Sequence, residues 1–156
     1  MVFYKRLMRE YMDDLKATES MGIEWYWDMQ SSMIDAVVKG PEGTPYEGGY
    51  FRFSLEIPPD YPFKPPKFRL LTNLWHPNVF NGETHIFCPC CMKETWSPAL
   101  TIRKKLLQFH AELLSPNFDD VECCNTEVRS MAVRDINEFN AKAREYTQKY
   151  ATQENI

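Results

Sequence analysis

The chain has 156 residues and a mass of 18.4 kDa, which fits one globular domain that buries enough surface to fold without disulfides or metals. Its formal net charge of -4 at pH 7 argues against a surface for nucleic acid or for an anionic membrane. No run of about 18 apolar residues occurs, so no membrane-spanning helix is predicted. Charged residues interrupt the apolar pattern of residues 1–14, which indicates a helix rather than a secretory signal.

The first predicted element is an amphipathic helix of about 15 residues that begins near Phe3. Its apolar stripe repeats every fourth residue at Phe3, Leu7, Tyr11 and Leu15. Three cations, Lys5, Arg6 and Arg9, lie near its start. They form either a solvated face or a docking face for an acidic partner.

Three or four strands are predicted next, over residues 23–29, 33–38 and 50–57, with 68–71 as the optional fourth. The third alternates apolar and polar residues, as a half-buried antiparallel strand does. The connections are short and rich in Gly and Pro, which favours an antiparallel meander over parallel crossovers. The segment 58–66 holds five of the eleven prolines and is predicted to be a packed, rigid loop, with a polyproline ligand as the alternative.

Three helices are predicted in the second half of the chain. Ser97 and Pro98 are good residues for an N-cap and a first helical position, so a helix is predicted to open there, and its wide apolar stripe indicates burial. A shorter helix is predicted around residues 126–133. The last is predicted to start at Asp135, with Glu138 completing a capping box.

The segment from Thr72 to Trp96 shows no periodicity over about 25 residues, which in a compact domain usually marks a functional region. It contains two histidines and three of the five cysteines. The five are Cys88, Cys90, Cys91, Cys123 and Cys124. An odd number in two tight clusters is a poor disulfide framework, so we expect free thiols in a reducing compartment, the cytoplasm or nucleus.

Three chemistries are compatible with this segment. Zinc binding has enough Cys and His ligands, although the adjacent Cys90 and Cys91 can rarely both ligate one ion. A Cys–His hydrolase has candidate residues but no local protease signature. A cysteine that carries an acyl group as a thioester needs a reachable thiolate, a fixed donor such as an Asn and a nearby carboxylate. A cysteine in this loop, with an Asn upstream and Asp residues downstream, fits these needs.

Five motifs occur in fixed order along the chain: Tyr61–Pro66, His76–Asn78, Cys88, Trp96–Ile102 and Arg144–Ala151. Gly40-Pro41 and the Tyr46–Gly49 turn precede them. In these motifs, and in the spacing from Cys88 to Trp96, the chain resembles ubiquitin-conjugating enzymes. The resemblance covers nearly the whole chain, from about Phe3 to Ala151.

The resemblance implies an α+β fold with an N-terminal helix, a four-stranded antiparallel meander, an active-site loop, a crossing helix and C-terminal helices. It implies one catalytic domain over residues 1–156 without a long tail. Cys88 would accept ubiquitin from the activating enzyme as a thioester and pass it to a substrate lysine, usually with a ubiquitin ligase of the RING or HECT type. No metal or cofactor is implied, since ATP is used by the activating enzyme, and neither nucleic acid nor membrane is an expected partner. The chain is expected to be a monomer.

The resemblance also assigns roles to individual residues. Asn78 would support the active-site loop and the oxyanion, Asp120 would orient the incoming lysine, and Asn117 and His76 would lie at the gate of the site. The implied partner contacts are Phe63, Pro98, Ala99 and Arg6 for the ligase, Lys5, Arg6 and Arg9 for the activating enzyme, and Leu107 and Lys104 for donor ubiquitin.

Two departures from the family pattern surround Cys88. Cys90 stands where the family usually has an acidic residue, and two additional residues separate His76 from Cys88. Two alternatives remain: a conjugating enzyme for a ubiquitin-like modifier, and a non-catalytic module that binds ubiquitin or a ligase. The cysteine eight residues before Trp96 favours an enzyme, because non-catalytic relatives generally lose it.

Overall fold

The computed structural model describes residues 2–17, 21–80, 86–87, 96–119 and 125–153. Helix α1 (Val2–Lys16) precedes four strands that pair in sequence order as one antiparallel sheet: β1 (Ile23–Trp27), β2 (Met33–Lys39), β3 (Tyr50–Glu56) and β4 (Lys67–Leu70). A short antiparallel pair follows, β5 (Val79–Phe80) and β6 (Ile86–Phe87). Three helices complete the fold: α2 (Ile102–Leu114), α3 (Thr126–Arg134) and α4 (Ile136–Tyr150). The predicted meander and α+β class are confirmed, whereas β5 and β6 were not predicted.

The core lies between one face of the sheet and α2. Phe51, Phe53 and Leu55 alternate along β3 and are buried, as the period of two predicts. Phe109 of α2 packs edge-on against Phe53, with ring centroids 4.5 Å apart. The largely buried helix predicted from the wide stripe is therefore the element that crosses the sheet.

Helix α1 packs on β1 through the predicted stripe, except at its end. Leu7 and Tyr11 are buried, and the Tyr11 ring centroid lies 4.9 Å from that of Trp25. Leu15 was predicted to continue the stripe, but it is 63% exposed. In the last turn Asp14 faces inward instead, because its carboxylate accepts a hydrogen bond from Trp25 Nε1.

The start of α2 differs from the prediction. The helix begins at Ile102, and its N-cap is Thr101, whose hydroxyl accepts from Lys104 N. Ser97 instead closes a turn: its carbonyl accepts from Leu100 N at 2.9 Å and its hydroxyl from Ala99 N at 3.2 Å. Serine hydroxyls favour such turns as well as N-caps, so the local signal was ambiguous.

The predicted helices α3 and α4 are confirmed, and Asp135 is the N-cap of α4. Its carboxylate accepts from Asn137 N and Glu138 N at 3.0 and 3.3 Å. The reciprocal half of the predicted capping box does not form. Asp135 N donates to Met131 O, and the Glu138 carboxylate pairs with Arg134.

The turn between β2 and β3 brings two backbones too close for any side chain at Gly40. A Cβ there would lie 1.7 Å from Tyr46 O, so only glycine fits. The buried Tyr46 in turn donates its hydroxyl hydrogen bond to Trp75 O at 2.7 Å. This turn therefore anchors the segment that leads into residues 76–78.

None of the helices in the described ranges is long and apolar enough to cross a membrane.

Candidate active site

The turn His76–Asn78 is held from inside by the imidazole of His76, which has no exposed surface. Its Nε2 lies 3.0 Å from Glu112 O, and its Nδ1 accepts from Asn78 N at 3.1 Å. These roles require a neutral ring with the proton on Nε2. Burial lowers the pKa of His76 to about 4, although the bond to Glu112 O favours the charged form. His76 therefore supports the turn rather than supplying an acid or base.

Asn78, the expected oxyanion support, is the last residue of this turn and is buried. Val79 follows it, and β5 pairs with β6 in a register that sets Val79 against Phe87. Cys88 is the next residue in the sequence, but it lies outside the described residues, as do His85, Cys90 and Cys91. In this segment the described residues thus stop at Phe87, directly before the expected nucleophile.

The segment that carries Asn117 is fixed on the side of α3 and α4. Asn117 Oδ1 accepts from Asp119 N at 2.9 Å, which forms a local turn. The next carbonyl, of Phe118, accepts from Arg129 Nε at 2.9 Å, and the Phe118 ring packs on Phe139. Asp120, the expected lysine-orienting residue, lies outside the described residues, as do Cys123 and Cys124.

Asn125 connects these two parts of the site, and sequence reasoning missed it. Its side-chain Oδ1 caps α3 by accepting from Val128 N, while Nδ2 donates to Val79 O at 2.8 Å. Its backbone N donates to Pro77 O, also at 2.8 Å. An Asn just before a predicted helix is a recognisable N-cap, but its partners 46 and 48 positions earlier leave no local signal.

The expected ligase contacts come together on one surface. Phe63 is 70% exposed, and Pro98 and Ala99 are exposed on the neighbouring loop. Trp96 Nε1 donates to Pro62 O at 2.6 Å and so joins the two loops. Because the resemblance assigns partner contacts to these residues, we call the surface of Phe63, Pro98, Ala99 and the start of α1 the docking surface.

The three cations of α1 are not equivalent. Lys5 and Arg9 are exposed, whereas Arg6 is half-buried. Arg6 Nη2 donates to Leu100 O at 3.0 Å, and its Nε donates to Glu10 Oε1 at 2.7 Å. The guanidinium of Arg6, which is expected to bind partners, is therefore already used in hydrogen bonds within the chain.

Glu10 is the second residue that sequence reasoning missed. Its side chain is only 6% exposed, although it lies on a surface helix. The carboxylate accepts from Arg6, from Tyr61 OH at 2.6 Å and from Ile102 N at 3.0 Å. The spacing of four residues between Arg6 and Glu10 signals a helical ion pair, but nothing local signals the other two donors.

The expected donor-ubiquitin residues lie on α2. Lys104 is exposed and Leu107, three residues later, is half-buried, so both occupy one side of the helix. Among the described residues, no group of three His, Cys, Asp or Glu side chains is placed to hold a metal ion. A cavity of about 890 Å³ is lined by the start of α1, the β1–β2 turn and residues 56–59 and 64–67, and no residue of the His76–Asn78 turn lines it.

Comparison with known proteins identifies the family. The model of the ubiquitin-conjugating enzyme family matches residues 6–147. Ubiquitin-conjugating enzyme E2 1 of Schizosaccharomyces pombe is 35% identical over 94% of this chain, which spans 66% of that protein's length. Ubiquitin conjugating enzyme E2 B of Dictyostelium discoideum is 38% identical over 97% of this chain and 99% of its own.

Solved structures agree. The E2 domain of a Toxoplasma gondii ubiquitin conjugating enzyme superposes with a TM-score of 0.80 and 36% identity, over 95% of this chain and 98% of that one. The chain therefore belongs to the ubiquitin-conjugating enzyme family, whose members are transferases that work through a thioester. The fold and family predicted from the motifs are confirmed.

Proposed function

We propose that this chain accepts ubiquitin from an activating enzyme as a thioester on Cys88 and passes it to a substrate lysine. The observation that carries the proposal is the pinned His76–Asn78 turn, from which Val79 pairs with Phe87, the residue before Cys88. The chain needs no metal or cofactor of its own, because ATP is consumed by the activating enzyme.

The chemistry is two acyl transfers. The Cys88 thiolate attacks the thioester carbonyl on the activating enzyme, whose own thiolate leaves, so one thioester replaces another. A lysine amine then attacks the new thioester, an isopeptide bond forms, the Cys88 thiolate leaves, and the amine's proton passes to Asp120 or to solvent. Asn78 supports the negative oxygen that forms in this second step, and Asn117 lies at the gate through which lysine enters.

The docking surface supports the proposed partners. An exposed aromatic side chain beside two small exposed residues suits a compact protein interface, and Phe63, Pro98 and Ala99 provide this combination. A RING or HECT ligase would bind there, and the activating enzyme would share the cations of α1. Leu107 and Lys104 on α2 would hold donor ubiquitin. We infer a monomer that works in the cytoplasm or nucleus.

A charging reaction with activating enzyme, ubiquitin and ATP, read on a non-reducing gel, tests the proposal. The wild type should form a band that reductant removes. Cys88→Ser should form a band that reductant leaves intact, because the serine oxygen gives an oxyester. Cys90→Ser and Cys91→Ser are matched controls and should charge like the wild type.

Other outcomes would redirect the assignment. Charging with a ubiquitin-like modifier and its activating enzyme, but not with ubiquitin, would show that the chain carries that modifier instead of ubiquitin. Absence of charging with every modifier in a panel would make the chain a non-catalytic binding module. Normal charging of Cys88→Ser would show that the nucleophile is another residue.

A further inference from the structure

The carboxylate of Glu10 is the meeting point of three chain segments that are distant in sequence. Oε1 accepts from Arg6 Nε on α1 and from Tyr61 OH in the proline-rich loop, at 2.7 and 2.6 Å. Oε2 accepts from Ile102 N, the first residue of α2, at 3.0 Å. A carboxylate with three donors is well satisfied, although it is almost fully buried.

The hydrogen bond from Ile102 N places the negative charge of Glu10 at the N-terminus of α2, whose own first turn has no acidic residue. A negative group there complements the first N–H groups of a helix, which have no intrahelical acceptor. Glu10 provides that group from α1. The start of α2, and with it the loop that ends at Thr101, is thereby tied to α1.

Two of the three donors, Tyr61 and Arg6, also lead directly to residues of the docking surface. Tyr61 lies two positions before Phe63, and its ring packs on Trp96 with centroids 5.8 Å apart. Arg6 donates a second bond to Leu100 O, next to Ala99. The loops that carry Phe63 and Ala99 are thus held at a fixed separation by bonds that converge on one carboxylate.

We propose that Glu10 is a positioning residue that sets the spacing of the docking surface and so determines how tightly a ligase binds. The proposal rests on the proposed ligase role of that surface. Glu10 itself is too buried to contact a partner, so its effect would pass through Tyr61, Arg6 and Ile102.

Two variants change the carboxylate network without truncating a large side chain. Tyr61→Phe removes one donor and keeps the ring against Trp96. Glu10→Gln keeps the shape but turns one oxygen into an amide N–H₂ group, which cannot accept, so at least one of the three bonds is lost. Glu138→Gln is the matched control, because Glu138 also pairs with an arginine four residues away, at an exposed site on α4.

The first readout is the rate at which charged protein transfers ubiquitin to free lysine. This rate is measured at increasing concentrations of an isolated RING domain. The RING domain is chosen from a panel because it stimulates the wild type. The KM for the RING domain should rise about three- to tenfold in Tyr61→Phe and Glu10→Gln, as the loss of one hydrogen bond implies. The rate at saturating RING domain and the unstimulated transfer from charged protein should stay within about twofold of wild type. Glu138→Gln should change none of these quantities.

The second readout needs no partner. In ¹⁵N-labelled uncharged protein, the indole N–H resonance of Trp96 should shift in both variants, because its acceptor Pro62 O lies in the loop that Glu10 holds. The indole resonance of Trp75, which lies by α4, should not move. In addition, Tyr61→Phe should raise KM little further in a Phe63→Ala background, since both changes act on the same contact.

An unchanged KM in both variants would overturn the proposal, and so would full additivity with Phe63→Ala. An equal fall in unstimulated transfer and in transfer at saturating RING domain would assign Glu10 to the active site instead. If thermal melting shows that both variants are unfolded at the assay temperature, Glu10 serves the whole fold and the local role is wrong. A wild type that responds to no RING domain, with a shifted Trp96 resonance in the variants, would overturn the docking role while leaving the loop tie in place.

Discussion

At the scale of single residues, His76 shows how burial removes a side chain from acid–base chemistry. Both ring nitrogens are used inside the protein, one toward Glu112 O and one toward Asn78 N. Protonation of Nδ1 would break the bond that shapes the turn and would place a charge in the interior. The low pKa of His76 therefore makes the stability of the fold depend on pH, in addition to removing the ring from acid–base chemistry.

This predicts a loss of stability in mild acid. The pKa of His76 is about 4 in the folded protein and about 6.5 when unfolded, so between these values the unfolded chain binds more protons. The contribution is complete above pH 6.5 and is lost as the pH falls toward 4. We expect urea unfolding to show about 2 kcal/mol less stability at pH 5 than at pH 7 from this group alone. His76→Gln should lack this part of the slope, whereas His110→Gln should keep it.

A second prediction separates the two acyl transfers at Asn78 and Asp120. Asn78→Ser and Asp120→Ala should charge at nearly the wild-type rate, because thiol exchange needs little oxyanion or proton assistance. Asn78→Ser should discharge onto free lysine about a hundredfold more slowly, the cost of one lost oxyanion donor. Single-turnover discharge measures this directly. Equal losses in both reactions, with a lower melting temperature, would mean that Asn78 serves folding instead.

At the scale of elements, α3 does more than pack on the core. Its N-cap residue Asn125 holds Pro77 O and Val79 O, while Arg129 in its second turn holds Phe118 O. The helix thus clamps the His76–Asn78 turn and the Asn117 segment from one side. Their relative position depends on where α3 begins.

Two substitutions at Asn125 distinguish capping from clamping. Asn125→Asp keeps an oxygen to cap α3 but loses the N–H₂ group that donates to Val79 O. Asn125→Ala loses both functions and should cost about 2 kcal/mol in denaturant unfolding. We expect Asn125→Asp to be the more stable of the two and yet to slow lysine discharge. Discharge at the wild-type rate in Asn125→Asp would show that the clamp is unnecessary for transfer.

At the scale of the whole molecule, the docking surface joins a helix and two loops that are separated by about ninety positions. On a chain of net charge -4, the exposed cations of α1 form a local basic area that can attract an acidic partner. Arg6 differs from its neighbours, because its guanidinium is bound to Glu10 and Leu100 O. Charge reversal should therefore have different effects along this one helix.

We expect Arg9→Glu to slow charging by the activating enzyme, more strongly at low salt, without changing the melting temperature. Arg6→Glu should slow charging as well, but it should also lower stability by more than about 2 kcal/mol, because it sets a second carboxylate against buried Glu10. Thermal melting and charging rates at two salt concentrations compare the variants. An equally stable Arg6→Glu protein would contradict the internal role of Arg6.

The sequence by itself determined the family, the α+β class and the order of the four helices and of the four-stranded sheet, but not the short pair β5 and β6. Periodicity sufficed for α1 and β3, because each buries one face along its length. Local signals also located the boundary between α3 and α4, since Asp135 caps the start of α4 by accepting hydrogen bonds from the nearby Asn137 N and Glu138 N. The predicted start of α2 was wrong, because serine favours turns as well as helix N-caps, and Ser97 lies in a turn.

Only the tertiary structure decided which residues connect the segments. Glu10 lies outside the predicted apolar stripe of α1, so the pattern gave no sign that it is buried. Two of its donors, Tyr61 and Ile102, are 51 and 92 positions away in the sequence. Asn125 likewise reaches back 46 positions to Val79. Sequence patterns report local conformation and burial, whereas a hydrogen bond between distant segments exists only after the chain has packed. The residues that tie this site together were therefore invisible until the fold was known.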